Sequence, residues 1–166
     1  MTEMTPPHSR TDSAIHLPFR LATSKVDFRV ANGLNEATSV KVERITLKGV
    51  YLHGSFDSEA DPEWSLSGEP ADVVAYDSAR DGEGPAATRD PQLFGLTLEI
   101  IPQQSKPVVE VVYAFQTADS EWLPGQANTT GELKAEWKPG RHYTYTLTLT
   151  ETIVKHSPGI STSADM

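Results

Sequence analysis

The feature that most restricts how this chain can fold is a strict two-residue alternation near its C-terminal end. From His142 to Thr150 it reads H-Y-T-Y-T-L-T-L-T, with Tyr143, Tyr145, Leu147 and Leu149 on one side and His142, Thr144, Thr146, Thr148 and Thr150 on the other. Successive side chains of an extended strand point to opposite faces, so the pattern specifies a half-buried β-strand with an apolar face and a hydroxyl face. Threonine and tyrosine both suit a pleated, partly exposed surface. The residues ahead of the strand fix where it begins. In Lys138-Pro139-Gly140-Arg141 the proline presets φ at the first central position and the glycine accepts positive φ at the second, which predicts a type II turn. Trp137 then offers a large ring to bury against the same sheet. Only His142 in this stretch can ligate or move protons, so its content is architectural.

The same period recurs along the chain. Ile15, Leu17 and Phe19 alternate in Ala14 to Phe19, a short segment whose Pro18 suits an edge strand. Val26, Phe28 and Val30 alternate with Lys25, Asp27 and Arg29, and Asn32-Gly33 signals a turn. Val40 and Val42 alternate, then the phase slips by one so that Ile45 and Leu47 continue it, which predicts a β-bulge; Gly49 marks a second irregularity. Gly54 to Gly68 reads as an acidic loop with a short strand at Trp64 and Leu66, and Val73 to Tyr76 reads as another short strand. Asp77 to Asp90 reads as a solvated loop. Leu96, Leu98 and Ile100 alternate with Thr97 and Glu99 up to Pro102. Val109, Val111, Tyr113 and Phe115 share a face, and the opposite face is apolar enough to be partly covered. A hairpin is expected from Trp122 to Leu133, turning at Pro124-Gly125. No window carries helical spacing over three turns.

Roughly eight to ten strands at this spacing predict an all-β, antiparallel β-sandwich. A barrel is the other possible closure, and the unequal loop lengths favour the sandwich. The expected organisation is a flexible N-terminal arm over 1–13, one sandwich domain over 14–155, and a polar C-terminal tail over 156–166.

A length of 166 residues suits one domain with a sizeable core. The formal net charge is −9 with no run of basic residues. This argues against nucleic acid and against an anionic membrane as partners, because both select clustered Lys and Arg. The absence of cysteine excludes disulfides, thiolate nucleophiles, thiolate metal ligands and lipidation at Cys for this sequence. No apolar run is long enough for a transmembrane helix. Met1 to Asp12 lacks the apolar core of a signal peptide, which predicts either an intracellular chain or a leader removed or lying upstream.

Residues with possible chemistry have plainer readings beside them. Asp57, Glu59, Asp61 and Glu63 have calcium-loop spacing, but Pro62 stands where such a loop needs its glycine, so a solvated loop is the simpler reading. Asp72 and Asp77 add carboxylates of the kind a glycosidase pairs, as any acidic chain does. His8, His16, His53, His142 and His156 show no metal-binding spacing. Neither a G-x-S-x-G elbow nor a glycine-rich phosphate loop is present. No catalytic residue, cofactor or metal ligand is therefore assigned. Trp64, Trp122 and Trp137 could line a sugar platform, though core or turn packing is the commoner fate of single tryptophans.

Several stretches in order carry a family likeness: H-L-P-F-R-L-A-T-S-K-V-D-F-R-V, V-K-V-E-R-I-T-L-K-G-V-Y-L-H-G, W-S-L-S-G, L-T-L-E-I-I-P-Q, V-V-E-V-V-Y and W-K-P-G-R-H-Y-T-Y-T-L-T-L. Together they resemble the fimbrillin-like (Mfa-like) proteins, subunits of type V bacterial pili, over about residues 14 to 155. The most distinctive parts are Leu17-Pro18-Phe19 leading to Lys25-Val26, Ile101-Pro102-Gln103, and Trp137-x-Pro139-Gly140-x-x-Tyr143-x-Tyr145-x-Leu147. The resemblance implies a transthyretin-like sandwich matching the second of two family domains, without the lipoprotein leader, the acylated Cys or the first domain. It further implies a non-enzymatic structural or adhesion subunit at the cell surface, outer membrane or fimbrium, whose partners are other pilus subunits reached by β-strand pairing. Ile15, Leu17 and Phe19 become a strand-exchange edge on this reading, and the polar tail Ser157 to Met166 looks poor as a donor strand. Asp12-Ser13-Ala14 and Asp77-Ser78-Ala79 match the Asp-Ser/Thr-small pattern of O-glycan attachment at Ser13 and Ser78, with chance occurrence the simpler reading. The rival functions are a carbohydrate-binding module that recognises host or bacterial surface glycans and, third, a glycosidase-like enzyme.

Overall fold

A computed structural model describes residues 21–35, 37–57, 63–117, 121, 123–152 and 157–165. Two four-stranded sheets face each other. The first contains β1 (Ser24–Asn32), β6 (Gln92–Ile100), β11 (His142–Thr152) and β12 (Ser157–Asp165), in the spatial order β12-β11-β1-β6. The second contains β2 (Ser39–Val50), β5 (Ala71–Asp77), β8 (Val108–Gln116) and β9 (Leu123–Glu132), in the order β5-β2-β8-β9. Two small ladders complete the fold, β3 (His53–Asp57) with β4 (Glu63–Ser67) and β7 (Gln104–Ser105) with β10 (Ala135–Glu136). A single helical turn, α1 (Ser78–Asp81), follows β5.

The all-β sandwich expected from the alternation is what forms. Tyr143, Tyr145, Leu147 and Leu149 of β11 are buried, and Thr144, Thr146, Thr148 and Thr150 are half-exposed. The same inward face of β1 supplies Val26, Phe28 and Val30; across the sandwich Val40, Val42, Ile45, Leu47, Val109, Val111 and Tyr113 answer them. Burying a side chain of this size contributes about 1.5–3 kcal/mol, which is why the inward phase of each strand is strongly specified.

The irregularities of β2 fall where its sequence slips phase. Val42 pairs with Tyr113 and Arg44 with Val112, so Glu43 is the extra residue of a bulge. A second slip runs between Leu47 and Val50, around Gly49. The turn before β11 is also as expected, with Gly140 at φ 70° and the Arg141 N–H donating to the Lys138 carbonyl at 3.2 Å.

Other expectations are corrected. The first sheet is mixed, because β1 runs parallel to β11 while its other pairings are antiparallel. Leu96 does not share the inward face with Leu98 and Ile100. Val26 pairs with Leu98 and Phe28 with Phe94, so Gly95, Leu96 and Thr97 together face one residue of β1, and Leu96 is left 78% exposed. The stretch from Trp122 to Leu133 is not a hairpin. Leu123 to Glu132 is one strand along β8, and Pro124-Gly125 lies in a bulge between the Tyr113–Ala127 and Phe115–Leu123 pairs, a place where a sheet tolerates proline. In Gly54 to Gly68 the short strand expected at Trp64 and Leu66 forms as β4, but the residues expected to be loop before it pair with it as β3. Asp77 to Asp90 begins with α1, whose first turn Asp77 caps by accepting from the Ala79 N–H. The polar tail is also corrected: Ser157–Asp165 pairs along β11 through main-chain atoms, which need no apolar alternation.

Candidate functional site

Chemistry-bearing side chains are dispersed over the sandwich. Among the described residues, no group of three or more His, Cys, Asp or Glu is placed to hold a metal ion. None of the described helices is long and apolar enough to cross a membrane. Of the acidic run, Asp57 and Glu63 pair at the end of the β3–β4 ladder, and Glu59 and Asp61 lie outside the described residues. Asp72 accepts from the Gly49 N–H at 3.3 Å. His142 Nε2 lies 2.6 Å from Asp27 Oδ2, a pairing between adjacent strands that the wide sequence separation hides.

The tryptophans divide. Trp137 is core, 3% exposed, with its indole N–H donating to the Tyr145 hydroxyl at 3.0 Å. Trp64 is half-buried on β4, and the side chain of Trp122 lies outside the described residues. The Tyr143 hydroxyl donates to the Glu136 carbonyl and accepts from the Lys138 N–H, both at 3.0 Å. Each of the spaced aromatics around the turn thus bonds another part of the same stretch. Ser24 Oγ and the Gly140 N–H, each at 2.9 Å, tie the turn to the start of β1 through the Lys138 and Thr23 carbonyls. Burial holds the Tyr145 hydroxyl above the usual phenol range against the lowering effect of Trp137.

Gln103 is a structural residue that charge and periodicity do not reveal. It is 4% exposed, and its carboxamide accepts from the Tyr51 N–H at 3.1 Å and donates to the Tyr51 and Ile101 carbonyls at 3.1 and 3.0 Å. A buried amide so fully bonded bolts the segment after β6 to the end of β2. Its one mark in the sequence is its place in the Ile101-Pro102-Gln103 triplet.

The two open sides of the sandwich differ. On one, β5 meets β6. Phe94 meets Tyr76 edge to face at 5.4 Å, and the Tyr76 hydroxyl donates to the Gly82 carbonyl at 2.9 Å and accepts from the Gly84 N–H at 2.7 Å. Gly95, at φ 73°, comes so close to Ala75 that any Cβ there would collide with its carbonyl. This side is sealed by packing. On the other side β12 lies against β9. Its sequence, S-P-G-I-S-T-S-A-D, has one large apolar residue, Ile160. Pro158 removes a ladder donor. The strand is held to β11 by a backbone register running from Thr144–Asp165 to Thr152–Ser157. β12 is the outermost strand of its sheet, joined to it by main-chain pairing with β11.

Of the other residues singled out in the sequence, Ser13, Ile15, Leu17 and Phe19 lie outside the described residues. Ser78 is the first residue of α1 and half-buried. The surrounding acids have local work. The Ala79 N–H, and then Arg44, hold Asp77 below its ordinary range, while Arg80 and the Asp77 N–H hold Asp81 down at about 2. That network gives a structural reason for Asp77, the first residue of the Asp-Ser-Ala triplet.

The fimbrillin-like family matches residues 1–162. Among solved structures, a candidate cell adhesion protein from Bacteroides fragilis is similar with a TM-score of 0.55 at 14% identity, over 90% of this chain and 47% of that one. A fimbrial protein from Bacteroides vulgatus gives a TM-score of 0.47 at 10% identity, over 87% of this chain and 54% of that one. The chain therefore spans about half the length of these structures. No curated protein matches it. The Bacteroides fragilis likeness concerns the fold alone, a sandwich of the same kind; with the family match extending over nearly all of the sequence, the chain belongs to the fimbrillin-like family.

Proposed function

We propose that this chain is a non-enzymatic structural or adhesion subunit of a cell-surface fimbrium, and that it joins other subunits by β-strand pairing along β11. The observation that carries this reading is the contrast between the two open sides. The β5–β6 side is closed by interlocked side chains, whereas on the other side β12, whose sequence holds one large apolar residue, is the outermost strand of its sheet and joins it by a backbone ladder to β11. An incoming strand with a large apolar residue at every inward position carries more apolar surface to bury than S-P-G-I-S-T-S-A-D, at about 25 cal/mol per Å². The family membership and the fimbrial and cell-adhesion descriptions of the similar structures support the same reading.

The test is location. A tagged copy is expressed in a fimbriated host bacterium of this family, and fimbriae are sheared from the surface and purified. The chain is expected in the fimbrial fraction, in fixed ratio to other subunits. Recovery only from the cell interior would remove the assignment.

A further inference from the structure

We propose that the cleft beside Trp64 binds a neutral sugar residue of a surface glycan. The cleft has a volume of about 460 Å³ and runs between β4 and the segments at Pro102–Gln104 and Pro139. That size lies within the range of small-ligand sites. It is independent of strand exchange, since it touches neither β11 nor β12.

Trp64 is held by a hydrogen bond and by ring packing. Its indole N–H donates to the Ala22 carbonyl at 2.7 Å. Its ring meets Phe56 on the paired strand, with centroids 5.3 Å apart and planes tilted by 42°. Gly54 allows the ladder to close against it, since a Cβ there would be 2.7 Å from the Ser65 carbonyl oxygen and 3.3 Å from Trp64 Cε3. An indole so fixed is ordinarily a core residue, as Trp137 is here, but Trp64 keeps part of its surface open at the cleft. The opposite wall is equally rigid. Pro102 and Pro139 have fixed φ, and Gln103 is bolted to Tyr51 and Ile101. A site that needs no ordering on binding loses less affinity to entropy.

The chemistry around that ring suits a pyranose. One face of a pyranose is lined with C–H groups, which the negative face of an indole attracts. Its hydroxyls both donate and accept. Glu63 supplies acceptors, and the Gln104 carboxamide supplies both donors and an acceptor. No Lys or Arg among the described residues lines the cleft, and Glu63 adds negative charge to a chain of net charge −9. Sialylated, sulfated and uronic sugars are therefore disfavoured relative to neutral ones. The cleft is open and the polar contacts are few, so the dissociation constant for one sugar residue should be on the order of millimolar.

The experiment uses the full chain labelled with ¹⁵N and follows the three tryptophan indole signals. The probes are the methyl glycosides of glucose, galactose, mannose and N-acetylglucosamine, with sialyllactose and galacturonic acid as acidic comparisons. At least one neutral glycoside is expected to shift the Trp64 signal saturably, and to shift Trp137, which lines the floor of the same cleft but is 3% exposed, by less. Gln104→Ala, on the exposed wall, should weaken that binding about fivefold, the share of one hydrogen bond. Trp64→Ala should abolish it, and Gln104→Ala keeps the test decisive if the Trp64 variant unfolds. Silence of the Trp64 signal toward every neutral glycoside would overturn the proposal. So would binding that is undiminished in Gln104→Ala, equal affinity for the acidic sugars, or binding seen only after residues 1–20 are removed.

Discussion

Thr146 and Leu147 are chain neighbours in opposite surroundings, one half-exposed and the other fully buried. Leu147→Ala should cost about 2–5 kcal/mol by chemical denaturation, since it opens a cavity between the sheets. Thr146→Val should be close to neutral; equal small effects at both would mean that the inward phase is misassigned. Titration gives a second check. Asp77, Asp81 and Glu110 all have depressed carboxyl pKa values in the folded state, Asp81 at about 2. A depressed carboxyl contributes stability that is present above its unfolded value, near 4, and lost as pH falls through its folded value. The melting temperature should therefore decline between about pH 5 and pH 2, with only a small share from these exposed pairs in high salt. Ser78 is a proposed O-glycan acceptor. Native material should then carry mass beyond the sequence that Ser78→Ala removes in part; an unmodified native mass would eliminate it.

Among the elements, those that bury one face were legible and those held by the backbone were not. β11, β1, β2 and β8 announce themselves through alternation, and the Glu43 bulge through a single slip of phase. The direction of β1 against β11 has no such mark, because side-chain period is the same in parallel and antiparallel pairs. Leu96 misleads because Gly95 breaks the register between two segments that look continuous. β3 reads as loop and β12 as tail in the sequence because neither alternates strongly, while β4 shows only through Trp64 and Leu66. Of the candidate sites, the Trp64 cleft was half visible as a tryptophan and hidden in Pro102, Gln104 and Pro139, which only folding brings to it. Hydrogen exchange should follow the same division, with slow amides in β1, β2, β8 and β11 and faster ones in β12 and β3–β4. Slow exchange throughout β12 would mean that it is an integral strand. Ile15, Leu17 and Phe19 remain a proposed exchange edge. β1 is already flanked by β11 and β6, so this segment would have to pair elsewhere. Removing residues 1–20 should leave a protein that binds a peptide carrying A-I-H-L-P-F or oligomerises. A trimmed protein that stays monomeric and ignores the peptide would exclude that edge.

At the scale of the whole molecule, the sandwich has one side locked by Tyr76, Phe94 and Gly95 and one side covered by β12. In the proposed function subunits meet at the second side, with β12 yielding its place on β11. The absence of cysteine allows this to be tested by locking the strand. Thr146 and Ser163 are register partners, so T146C/S163C places two thiols across the β11–β12 ladder. The measurement is incorporation of this variant into surface fimbriae, oxidised and reduced, with each single-cysteine variant as a control. The reduced double variant and both single variants are expected to enter fimbriae, and the oxidised, locked form is expected to stay out. Equal incorporation of the locked and reduced forms would contradict it.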